Sequence, residues 1–71
     1  MNIEHLVKMA NQIGDFYNAE SDRKEAVQNI ASHLKRFWEP RMRKEIVAHC
    51  VQGGAGLKDT VREAVASLAS N

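Results

Sequence analysis

Apolar side chains recur at steps of three and four residues through most of this chain, and nowhere do they alternate in the manner of a strand. Ile3, Leu6, Val7, Ala10, Ile13, Phe16 and Tyr17 share one side of a first helix predicted from Ile3 to Tyr17. Asn2 is placed to cap its start, Asn11 and Gln12 fall on the other side, and Gly14 weakens its later part. Phe16 and Tyr17 continue the stripe and are expected in the core. Asn18 to Ser21 reads as a polar link. Asp22 followed by Glu25 resembles a capping box, with Ser21 as an alternative cap, and opens a second helix from Asp22 to Phe37. Its stripe is Ala26, Val27, Ile30, Ala31, Leu34, Phe37 and Trp38, with His33 and Arg36 lying off it.

The periodicity breaks at Phe37-Trp38-Glu39, and Pro40 suits the first turn of a helix, where its missing N–H has no partner to lose. These residues therefore form a corner. A third helix, Pro40 to Gln52, carries Met42, Ile46, Val47 and Cys50 inward, with Arg43, Lys44 and Glu45 at or beyond the edge. Gly53 and Gly54 can take the left-handed backbone that closes a helix, and Gly56 adds another flexible position. The stretch GGAGLK has neither the GK[ST] ending of a phosphate-binding loop nor a strand before it, so it reads as a helix stop. Leu57, Val61, Ala64, Val65 and Leu68 mark a last helix, Lys58 to Leu68, with Asp59 at its positive end and fraying expected from Ala69 to Asn71. The fold class is all-α: a small single-domain bundle of about four short helices over residues 1–71.

Charge changes the picture at the corner. Residues 35–44 hold five bases (Lys35, Arg36, Arg41, Arg43, Lys44) and one acid (Glu39), a net of +4, while the remainder holds five bases and eight acids, a net of −3. Arg41 and Arg43 sit in the first turns of a helix, where cations oppose the dipole by about 0.3–1 kcal/mol each. A rule broken twice in one place points to function. Arg36, Phe37, Trp38, Pro40, Arg41, Met42 and Arg43 are therefore the candidate partner-binding set, with at least one aromatic incompletely buried and arginine forks that suit carboxylates of an acidic protein surface or, as the second choice, phosphates. On that reading Arg41→Glu with Arg43→Glu spares the fold and abolishes association. The competing reading has Trp38 closing the core and the arginines merely solvated.

With 71 residues and one cysteine, the core is thin and no internal disulfide can form, so a partner or self-association can supply missing burial. Glu4 and His5 interrupt any secretory h-region, no run approaches the ~20 apolar residues of a membrane span, and the free thiol is consistent with a reducing cytoplasm. A net charge of +1 argues against general nucleic-acid binding. His49 and Cys50 are neighbours about 100° apart on a helix, which prevents a dyad between them. No catalytic constellation or metal-ligand set is present, and the expectation is a non-enzyme with no cofactor of its own.

Met9 to Gly14 (MANQIG), His33 to Arg43 (HLKRFWEPRMR), Ala48-His49, Gly53 to Leu57 (GGAGL) and Val61 to Val65 (VREAV) together resemble the delta subunit of cytoplasmic, NAD-dependent, molybdenum-containing formate dehydrogenase. The resemblance spans nearly the whole chain, and F-W-x-P-R-M-R is its most specific block. It implies a non-catalytic accessory subunit that attaches to the large molybdenum subunit and supports assembly or maturation. Molybdenum, its pterin guanine dinucleotide, iron–sulfur clusters and flavin then belong to other subunits. The sequence departs from that family at Lys58-Asp59, where a small capping residue and Pro are common, and at Cys50, where an aliphatic residue is expected. The alternative is a small adaptor or regulator using the basic aromatic corner on an acidic protein or nucleic acid.

Overall fold

The computed structural model describes residues 2–20 and 22–69, and four helices account for most of them: α1 (Ile3–Glu20), α2 (Arg23–Phe37), α3 (Pro40–Val51) and α4 (Asp59–Ala69). Among the described residues there is no strand. Local signals explain most of the ends. Asn2 Oδ1 accepts from the Glu4 N–H at 2.8 Å, satisfying a donor that the first turn leaves free. Asp22 does the same for α2, accepting from the Glu25 N–H at 2.9 Å. Ser21, the alternative cap, lies outside the described residues, as do Ser70 and Asn71 of the expected frayed end. Pro40 occupies the first position of α3. One expectation is corrected here: Asn18, Ala19 and Glu20 are not a link but the last turn of α1, because the segment contains neither Gly nor Pro to stop it.

α4 packs against all three other helices, most extensively against α2. The core it closes comprises Leu6 and Ala10 of α1, Ile30 and Leu34 of α2, Ile46 of α3, and Val61, Ala64 and Val65 of α4, joined by Trp38 and Leu57 from the connections. Gly14 is buried in this arrangement, for a reason its helix propensity conceals. A Cβ there would run into Cγ2 of Val61, so the missing side chain is what lets α1 and α4 approach.

The joint between α3 and α4 is built on glycine and on polar side chains from elsewhere. Gly54 N–H donates to His49 O (3.0 Å) and Gly53 N–H to Cys50 O (3.1 Å), the paired bonds of a Schellman closure, with φ of +62° and +120° at the two glycines. Asn11, expected to be idle on the far side of α1, instead clamps this joint. Its Nδ2 donates to Gly56 O (2.9 Å) and its Oδ1 accepts from Lys58 N–H (3.1 Å). Lys58 pairs with Asp15, His49 Nε2 donates to Ala55 O (2.8 Å), and Arg62 Nη2 donates to Gly54 O (3.2 Å). The start of α4 is thus held from α1, although Lys58-Asp59 lacks a conventional cap.

Candidate functional site

The corner between α2 and α3 places its two aromatics on opposite terms with solvent. Trp38 is 6% exposed and belongs to the core; Phe37 is 68% exposed. The expectation that at least one ring is incompletely buried holds through Phe37, while Trp38 closes the core. Met42 is half-buried against the same cluster.

Arg43 resolves the apparent conflict with the α3 dipole. Its Nη1 donates to Lys35 O at 3.0 Å and to Trp38 O, so its guanidinium lies at the C-terminal end of α2, where carbonyls lack helical partners and a cation is favoured. It is a pin across the corner and half-buried, not a solvated arginine. Arg43→Glu would set a carboxylate against those carbonyls, which corrects the expectation that the Arg41/Arg43 double reversal spares the fold. Arg41 and Pro40 are exposed. The Arg36 guanidinium carbon lies 6.0 Å from the Phe37 ring centroid, at the outer range of a cation–π contact.

From Phe37 a line of rings crosses from α2 to α1. His33 lies 4.8 Å from Phe37, Tyr17 lies 6.1 Å from His33, and Phe16 meets Tyr17 edge-on at 5.1 Å. Phe16, expected in the core, is 61% exposed, because α1 turns its Leu6–Ala10–Gly14 side toward the bundle and leaves Phe16 beyond the edge. His33, read as lying off the stripe, is half-buried between two rings. Beside this line is a hollow of about 370 Å³ lined by Met9, Gln12, Ile13, Phe16, Tyr17 and His33. Singly exposed apolar residues are ordinary, whereas Phe16 and Phe37 are joined here through the half-buried Tyr17 and His33 rings into one strip. The sequence signal for it was weak: Phe16 and Phe37 each end a stripe, where the helical period no longer decides between core and rim.

The other side of α2 is different. Lys35 is two residues from Phe37, about 200° around the helix, and joins Pro40, Arg43, Lys44, Val47 and Leu68 around a groove of about 310 Å³. The structure therefore divides the candidate set: Arg36 and Phe37 belong to the aromatic face, Pro40 and Arg43 to the basic groove, Trp38 and the half-buried Met42 to the core, and Arg41 is exposed outside all three.

Cys50 is half-buried with Sγ directed to Arg62 O at 3.7 Å, while the His49 ring turns to Ala55, so the two side chains do not meet. Among the described residues no group of three or more His, Cys, Asp or Glu could hold a metal ion, and no helix is long and apolar enough to cross a membrane. A family model described as NADH-dependent formate dehydrogenase delta subunit FdsD matches residues 5–65. No curated protein and no solved structure gives a match.

Proposed function

The chain belongs to the family of NADH-dependent formate dehydrogenase delta subunits, and from that premise we propose that it is a non-catalytic, cytoplasmic accessory subunit that docks on the large molybdenum subunit and supports assembly or maturation of the complex. The observation that supports this reading is the aromatic face: Phe37 and Phe16, both largely exposed, connected through His33 and Tyr17 and bordered by Arg36. Aromatic side chains with an arginine neighbour are the usual high-energy anchors of protein interfaces, because they bury large area at small entropic cost. Phe37 is the central anchor, Phe16 extends it, and Arg36 supplies charge at the rim. Trp38, Met42 and Arg43 act from behind by fixing the corner.

Replacement of Phe37 by Ala together with Arg36 by Glu tests the proposal. Both positions are exposed, so circular dichroism and thermal melting should change little. Co-purification with the large subunit should fall steeply, since an anchor worth about 2 kcal/mol weakens binding roughly 30-fold, and the yield of active formate dehydrogenase should fall with it. A folded double variant that still co-purifies and supports a normal yield overturns it.

A further inference from the structure

We propose that the groove between α2, α3 and α4 is a second docking site, separate from the aromatic face, for a protein segment carrying carboxylates around one or two aliphatic side chains. Its walls combine two chemistries. Pro40, Val47 and Leu68 are apolar, and Lys35, Arg43 and Lys44 are cationic; no carboxylate lines it. The ion pairs among the described residues lie elsewhere, Arg23 with Glu63 and Lys58 with Asp15. Three like charges brought to one groove without a counter-charge repel one another, and a ligand that brings negative charge relieves that repulsion.

Arg43 lines the groove with part of its guanidinium uncommitted. Both bonds to the α2 carbonyls come from Nη1, which leaves the donors on Nε and Nη2. That edge is a fork with the spacing of a carboxylate, and it is held in place before binding, so little side-chain entropy is lost on pairing. Lys35 and Lys44 are exposed and can follow a flexible acidic chain. The apolar part selects among anions. A phosphate makes no use of Pro40, Val47 and Leu68, whereas a peptide can seat an aliphatic side chain there while its acids reach the cations. The volume, about 310 Å³, is at the floor of the range for small-molecule sites and suits side chains better than a dinucleotide. A nucleic acid would need cations continued along many phosphates, and these three are confined to one groove.

The full chain, isotopically labelled, is titrated with a synthetic peptide of alternating Glu and Leu and followed by NMR. The expected result is saturable shifts at Val47 and Leu68 and in the Lys35 and Lys44 amides. Lys35→Glu with Lys44→Glu should weaken binding at least ~10-fold, as should a peptide with Gln in place of Glu. Phe37→Ala should bind the peptide normally, which separates this site from docking through the aromatic face: loss of large-subunit association in Phe37→Ala with peptide binding intact leaves both readings standing. The proposal is overturned if the peptide does not bind, if charge reversal leaves its affinity unchanged, or if inorganic pyrophosphate displaces it at equal concentration.

Discussion

The two joints on either side of α3 solve the same problem by opposite means. Between α2 and α3, Trp38 and Glu39 suffice: Trp38 plugs the core, Pro40 starts the next helix, and Arg43 reaches back five residues to cap the last one. The polar bonds of that corner come from nearby residues, Arg43 reaching Trp38 O five positions back and Lys35 O eight back. Between α3 and α4, residues 52–58 contribute the glycine closure and the buried Leu57, and the loop is further secured by Asn11 from 45 and 47 residues away, by His49, and by Arg62. The polar bonds of the first joint need only α2 and α3, whereas its Trp38 plug needs the core that all four helices form. The Asn11 clamp on the second joint forms only after α1 has docked, because loop closure must come before those contacts form.

The sharpest way to break this contrast is to remove the plug. Trp38→Ala should cost about 3–5 kcal/mol, enough to leave little folded protein in a domain this small, with circular dichroism and urea unfolding as the readout. Arg43→Ala comes next, at about 1.5–3 kcal/mol for two bonds from a charged donor to helix-end carbonyls. The same melt should show a smaller loss for Asn11→Ala, about 1 kcal/mol, because Gly56 O and the Lys58 N–H are exposed and regain water. Its more telling effect is local: hydrogen exchange at residues 54–58 should accelerate while the Phe37–Pro40 corner keeps its protection. Arg41→Ala, an exposed change, should stay within ~0.5 kcal/mol. If Asn11→Ala matched Trp38→Ala, or exchange rose equally at both joints, the distinction would fail.

This contrast also decides what could be read from the chain. Asp22, Pro40, Gly53 and Gly54 act on backbone within a few residues of themselves, so their roles as cap, first-turn proline and helix stop were legible, as were four helices and the delta-subunit resemblance. Asn11, Gly14 and Arg43 were not, since each role depends on how two helices lie against each other. Asn11 looked idle on its own helix, Gly14 looked like a weak residue until Val61 was placed beside it, and Arg43 looked like a misplaced cation until the end of α2 came within reach. Phe16 was misplaced for the same reason: a stripe gives the direction of the core but not its width, and α1 spends its inner face on Leu6, Ala10 and Gly14. The division of the candidate stretch into an aromatic face, a basic groove and a buried support required the angle of each residue around α2 and α3.

The place of α4 in the bundle also bears on how the chain leaves the ribosome. This helix is the last of the four to be synthesised, yet it touches the other three and supplies Val61, Ala64 and Val65 to the core. At about 5–20 residues per second, the interval between completing Glu20 and reaching Ala69 is roughly 2–10 s. Helical bundles rich in local contacts fold in microseconds to milliseconds once their sequence is available. Translation is therefore the slow step. Until it is complete, the inner sides of the preceding helices lack the helix that covers them.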